Sequence, residues 1–183
     1  RLQDYAQRKG YFFAHVTRPQ APDLSQPAAK LVYQVDTGRR YKLKNLQING
    51  VDAISNQALK DEFKSKTASL PLIGNPRGLT SDDMLRQDAN TIQKRLREVG
   101  YRRAHVEVRR AVSLNGNDLI IRFDVEQGPR TYVEAIGLRG NAVLTDDQLR
   151  SAMTISPGSP LLTAAVARNT EKLADTYSTL RYA

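Results

Sequence analysis

Two pairs of neighbouring carboxylates, Asp82-Asp83 and Asp146-Asp147, are the residues of this sequence with the most obvious capacity for acid–base work. Paired acids can divide the roles of proton donor and base. Each pair, however, follows a hydroxyl residue and opens a stretch of helical periodicity: Thr80-Ser81 precedes the first and Thr145 the second. At a helix start the free N–H groups and the positive dipole end favour carboxylates for structural reasons alone, and Thr145-Asp146-Asp147-Gln148 fits a capping box. The two histidines, His15 and His105, lie in similar Ala-His-Val stretches far apart in the chain, and two are too few for most metal sites. Cysteine is absent, which removes thiolate nucleophiles and ligands. Gly74-Asn75-Pro76-Arg77-Gly78 lacks the Gly-Lys-Ser/Thr ending of a phosphate loop and does not follow a strand. No Ser, His and acid set has spacing suited to nucleophilic catalysis. The expectation is a chain without catalytic residues, cofactor or metal.

The charge balance points instead to binding. With 28 Lys and Arg against 19 Asp and Glu, the formal net charge is +9, which favours lipid headgroups, nucleic acid or acidic polypeptide as partners. The chain is 40% hydrophobic and 26% charged, an ordinary globular composition. No apolar run approaches the roughly 18 residues of a membrane-crossing helix, and Arg1-Leu2-Gln3-Asp4 does not open an apolar leader. Any export signal is expected outside this sequence.

Sliding the chain along itself by 90 positions brings several blocks into coincidence. Val35-Asp36-Thr37-Gly38-Arg39-Arg40 falls on Val125-Glu126-Gln127-Gly128-Pro129-Arg130. Leu43, Leu46, Ile48 and Gly50 fall on Val133, Ile136, Leu138 and Gly140, and Ile54, Leu59 and Phe63 on Leu144, Leu149 and Met153. Upstream, Gly10-Tyr11 and Ala14-His15-Val16 fall on Gly100-Tyr101 and Ala104-His105-Val106. Past Met153 the offset becomes 81, where Leu85, Ala89, Ile92, Leu96 and Val99 match Val166, Thr170, Leu173, Tyr177 and Leu180. The change falls in a connector, 66–79 in the middle copy and 155–162 in the last, rich in Pro, Gly and Ser.

Within one repeat, 41–51 alternates around Leu46 and Ile48 and ends at Asn49-Gly50, so it reads as a strand closed by a turn. Ser55 is a plausible cap for a helix running to about Ser65 with Leu59 and Phe63 on one face. A second helix opens at Thr80-Ser81-Asp82-Asp83, carries the stripe Leu85, Ala89, Ile92, Leu96, Val99, and stops at Gly100. Then Ala104, Val106 and Val108 alternate with charged residues. After a hairpin signal at Asn115-Gly116-Asn117, so do Leu119, Ile121, Phe123 and Val125. The predicted order is strand, helix, helix, strand, strand: an α+β fold with a three-stranded sheet and two helices on one face.

That order resembles the POTRA (polypeptide-transport-associated) repeat of the outer-membrane barrel-assembly and two-partner secretion superfamily. The residues that carry the likeness are Ile48-Asn49-Gly50-Val51, Leu96 to Tyr101 running into Ala104 to Val108, and Phe123-Asp124-Val125-Glu126-Gln127-Gly128-Pro129. The reading divides the chain into the last helix and two strands of one repeat (1–40, strands near 11–16 and 29–35), a complete repeat (41–130), and the first strand and two helices of a third (131–183), where Arg181 stands in place of Gly. Because 1–40 offers the strands that 131–183 lacks, head-to-tail self-association between molecules is a further expectation. The resemblance implies a site on the charged strand Arg102, Arg103, Ala104, His105, Val106, Glu107, Val108, Arg109 and Arg110. As an edge it would accept an extended segment of an unfolded outer-membrane protein, although charges on an edge also guard against aggregation. It also implies residence on the periplasmic side of the outer membrane, with accessory lipoproteins or chaperones as further partners and anionic headgroups as an electrostatic one. A secretion pore recognising one exported protein is the alternative within the family. A basic nucleic-acid-binding module is the alternative outside it, disfavoured because Phe123 and Tyr33 both fall on the apolar side of their strands.

Overall fold

A computed structural model describes residues 1–17, 31–68, 78 and 80–179. In chain order its elements are α1 (Leu2–Arg8), β1 (His15–Thr17), β2 (Gln34–Asp36), β3 (Lys42–Asn49), α2 (Asn56–Asp61), α3 (Asp82–Glu98), β4 (His105–Val112), β5 (Asp118–Glu126), α4 (Asp146–Ala152) and α5 (Thr163–Thr179). They group into two compact units, one of residues 1–49, 56–91 and 107–124, the other of 50–55, 92–106 and 125–183. The helix α3 and the strands β4 and β5 run from one unit into the other.

In the first unit β1 and β2 pair antiparallel, Val16 opposite Val35. A second sheet, in the order β3-β5-β4, is built on parallel pairing of β3 with β5, from Lys42 opposite Asp118 to Asn49 opposite Asp124. Parallel neighbours need a crossover, and α2, α3 and β4 supply it. A register shift between Leu43 and Asn45 breaks the alternation of β3 once, which keeps Leu43, Leu46 and Ile48 all on the buried face. From β5 the same face receives Leu119, Ile121 and Phe123, and the helices add Leu59 and Leu85. Phe63, just beyond α2, packs its ring 5.3 Å from that of Phe123. The start of α3 is capped by Ser81, whose hydroxyl accepts the Met84 N–H at 3.2 Å.

The second unit buries Ile92, Leu96, Ala104, Val106, Val125, Leu149 and Ala165. The capping box at Thr145 and Gln148 is formed as the sequence indicates. In α5 the buried residues are Ala165 and Asn169, while Val166 stays exposed.

One buried contact is shared by the second and third copies. Asp88 of α3 accepts the backbone N–H groups of Lys64 (2.6 Å) and Ser65 (3.1 Å). At the same offsets, Asn169 of α5 accepts the Thr154 N–H at 2.6 Å. This contact also explains why the helix does not continue to Ser65: the Glu62 and Phe63 amides still donate to the Leu59 and Lys60 carbonyls in a last tight turn, but those of Lys64 and Ser65 are taken by the Asp88 side chain.

Three other expectations are corrected. Residues 131–139 form no strand; an isolated bridge joins Tyr132 to Pro160, and Val133, Ile136 and Leu138 are half-buried. Whereas β3 is held along its length by β5, no strand among the described residues offers 131–139 a ladder, and alternation alone does not make a strand. In the first copy the strands are shorter than predicted: Tyr11 to Ala14 forms a turn closed by Ala14 N–H to Tyr11 (2.9 Å), and Ala29 lies outside the described residues. Tyr33 is 58% exposed and precedes β2, so it does not sit on an apolar face. The glycine-bearing segment 74–77 and the end 180–183 also lie outside the described residues.

Candidate partner-binding edge

The sheet order β3-β5-β4 leaves β4 with one neighbour, so one of its long sides is an edge. Because the Ser113 N–H donates to Asp118 at 2.9 Å, alternation along a regular strand directs the backbone groups of residues 107, 109 and 111 toward β5. Those of 106, 108 and 110 then point away from it.

Of the nine residues expected at this edge, His105 to Arg110 lie on β4. Arg102 and Arg103 sit in a turn before the strand. Ala104 is buried, its N–H donated to Tyr101 at 3.2 Å. The turn arises because α3 must reverse into β4 immediately after Gly100, leaving those residues no room to extend. At the other end the strand continues through Ala111 and Val112, which sequence reasoning left out. The Asn115-Gly116-Asn117 hairpin was the available signal, since paired strands normally run up to their turn.

Side chains on the two faces of β4 differ. His105, Glu107 and Arg109 are exposed on one; on the other Val106 is 9% exposed and Val108 half-buried, followed by Arg110 and Val112. Arg109 pairs with Glu107 (2.8 Å) and with Asp124 (2.9 Å), and Asp124 also holds Arg122. Arg110 reaches Asp82 at 2.9 Å. Arg102 and Arg103 form no ion pair among the described residues. Exposed pairs of this kind are worth little stability. They nevertheless balance most of the charge on the strand.

The carboxylate pairs hold structure together. Asp82 accepts from the buried amide of Gln7 at 2.8 Å and returns its own N–H to that amide at 3.0 Å, while Ser81 donates to Asp4 at 2.6 Å. These contacts fasten α1 to the start of α3, a pairing that no local pattern announces. Asp83 is held below the ordinary aspartate range chiefly by the hydrogen bond from Arg86, with Gln87 adding to it. Beside Arg110 lies an open cavity of about 490 Å³, lined among others by Phe12, Phe13, Asp82 and Arg86.

At Asp124, desolvation pushes the carboxyl upward, but the hydrogen bond and charge of Arg122, with Arg109 and Asn49, outweigh it and leave the group below its ordinary value. A depressed folded value contributes stability above the unfolded pKa and loses it as pH falls through the folded one. The difference in urea midpoint between the parent chain and Asp124→Asn is therefore expected in full at pH 7, to begin falling near the unfolded value of about 4, and to vanish only as pH drops through the lower folded value. A difference that persists or grows on acidification contradicts the assignment.

Comparison with known proteins agrees with this geometry. The POTRA family model (surface antigen variable number repeat) matches residues 41–128. The chain is 26% identical over 149 residues to the outer membrane protein assembly factor BamA of Nitratidesulfovibrio vulgaris, covering 81% of this chain and 19% of that protein. It thus spans about a fifth of the relative's length. Among solved structures, POTRA3-5 of Haemophilus influenzae BamA superposes with a TM-score of 0.58 at 22% identity, over 96% of this chain and 66% of that one. Among the described residues no helix is long and apolar enough to cross a membrane. The β-α-α-β-β order and the family match over residues 41–128 identify that segment as a POTRA domain, and the chain as a whole shares the fold of the Haemophilus influenzae POTRA3-5 structure.

Proposed function

We propose that the chain is a periplasmic run of POTRA repeats, parted near residues 40 and 130, in an outer-membrane protein assembly factor. In this reading β4 takes up an extended segment of an unfolded barrel precursor by strand addition. The observation that carries it is the free long side of β4, where the backbone groups of Val106, Val108 and Arg110 point away from β5. An incoming strand satisfies those groups whatever its side chains, which suits a protein that meets many clients. The relative's name favours assembly over secretion of a single cargo. Arg102 and Arg103, without ion pairs of their own, suit anionic headgroups or the acidic surface of an accessory lipoprotein or chaperone.

Val108→Pro removes one outward N–H from an edge position where proline can be accommodated. The expected result is a loss of affinity of about tenfold for a synthetic peptide with alternating apolar and polar residues, the fold being retained by circular dichroism. Backbone amide shifts in the parent chain give a second reading that needs no variant. On titration with the peptide they should move along 105–112. Shifts confined to β3, the other edge of the sheet, or unchanged affinity in a folded Val108→Pro chain, would overturn the proposal.

A further inference from the structure

Two arginines, Arg40 and Arg130, make the same set of contacts at two places in the chain. The last carbonyls of a helix have no intrahelical partner and carry the negative end of its dipole, so they attract N–H donors and cations. After α1, the Lys9 carbonyl accepts from Nε of Arg40 at 3.0 Å, and the Gly10 carbonyl accepts the Tyr41 N–H at 2.7 Å. After α3, the Val99 carbonyl accepts from Nε of Arg130 at 3.1 Å, and the Gly100 carbonyl accepts the Thr131 N–H at 2.8 Å. The Arg40 guanidinium lies 5.7 Å from the centre of the Tyr11 ring, and that of Arg130 lies 5.9 Å from the centre of Tyr101.

Both glycines are in the left-handed region, at φ 99° and 101°. A side chain there would also crowd the arriving segment: a Cβ on Gly10 would stand 3.2 Å from the Tyr41 carbonyl oxygen, and one on Gly100 3.2 Å from Cγ of Arg130. In the second case the Thr131 carbonyl further accepts the Leu161 N–H at 2.9 Å, tying in the segment that leads to α5. The Leu161 contact apart, the two sites, assembled from different residues, agree in the arginine, backbone and ring distances to within a few tenths of an ångström. Such agreement marks a designed feature of the repeat and not an accident of one surface arginine.

We propose that Arg40 and Arg130 are the latches of the repeat-to-repeat joint: each, at the end of its own repeat, caps the C-terminus of that repeat's last helix at the point where the chain enters the next repeat. The chemistry requires arginine, because Nε must donate to the carbonyl while the flat guanidinium lies over the ring, and an ammonium cannot do both. A Gly-Tyr pair followed thirty residues after the glycine by arginine is the sequence signature, present here as Gly10-Tyr11 with Arg40 and as Gly100-Tyr101 with Arg130. The inference goes beyond the function proposed above and does not depend on strand addition.

Native-state hydrogen exchange, followed by NMR on the 183-residue chain, reads each latch separately through the amide it protects. In Arg130→Ala the Thr131 amide is expected to exchange about tenfold faster, with Tyr41 unchanged; Arg40→Ala should do the reverse. Arg130→Lys should recover little of the protection. Three results would overturn the proposal: Thr131 exchange in Arg130→Ala within about twofold of the parent, full protection in Arg130→Lys, which would reduce the residue to a point charge, or equal acceleration along the β3–β5 ladder, which would make it a general stabiliser.

Discussion

Alanine at Gly50 is expected to cost this protein several kcal/mol, far more than the same change at Gly140. Both glycines close the turn after the first strand position of their repeats, at φ 79° and 80°. A non-glycine residue in that conformation costs about 1–2 kcal/mol wherever it occurs. The difference is the surroundings. A Cβ on Gly50 would stand 2.1 Å from the Val125 carbonyl oxygen and 3.2 Å from its carbon, whereas one on Gly140 would meet nothing within 4 Å. Neither the turn nor the strand can withdraw without breaking backbone pairing, so the cost at Gly50 should exceed about 3 kcal/mol. Repeat proteins often melt in more than one step, so the measurement is exchange of amides in the β3–β5 ladder instead of a single melting curve. Ladder protection should fall by more than a hundredfold in Gly50→Ala and should be little changed in Gly140→Ala. Equal losses in the two variants would show that backbone strain, and not the close approach to Val125, governs the position.

The second large effect is expected at Asp88. This residue is 0% exposed, and its carboxyl oxygens take up the N–H groups of Lys64 and Ser65. Asp88→Ala leaves both donors without partners, the Ser65 amide buried and the Lys64 amide part-buried, at about 1–3 kcal/mol for a buried donor and less for the other, so a loss of about 3 kcal/mol is expected. Asp88→Asn should cost much less. The third copy already shows why: Asn169 accepts the equivalent Thr154 N–H and disposes of its own amide hydrogens on the Ala165 carbonyl one turn earlier, at 2.8 Å. Urea titration monitored at the Lys64 and Ser65 amide resonances separates these cases. An Asn variant as damaged as the Ala variant would mean that the negative charge, and not the accepting oxygen, is what the site needs.

Much of this architecture was legible before any coordinates. The in-register recurrence of Gly10-Tyr11 and Gly100-Tyr101 located the helix ends, and both glycines have the positive φ expected there. Thr145 and Gln148 form the capping box their spacing implies, and β5 buries Leu119, Ile121, Phe123 and Val125 in strict alternation. The charged strand was found, but with its start three residues early and its end two residues short. The misreadings share a cause. Residues 131–139 carry the apolar positions of β3 and still form no strand, α2 stops four residues before its apolar pattern invites, and Tyr33 is exposed although its neighbours alternate.

What the amino-acid order determined by itself is whatever depends on neighbours within a few residues or on a repeated period: caps, turns, the faces of strands, and the existence of a module that recurs. What only the tertiary structure decided is which distant group completes each local element. Asp88 ends α2, β5 makes β3 a strand, Arg40 and Arg130 cap helices thirty residues upstream, and Gln7 anchors the first turn of α3. A backbone N–H or carbonyl must be satisfied by something, but the sequence near it does not name the partner. That partner is chosen by the packing that brings distant segments together, which also decides that β3 and β4, and not β5, are the edges of the sheet.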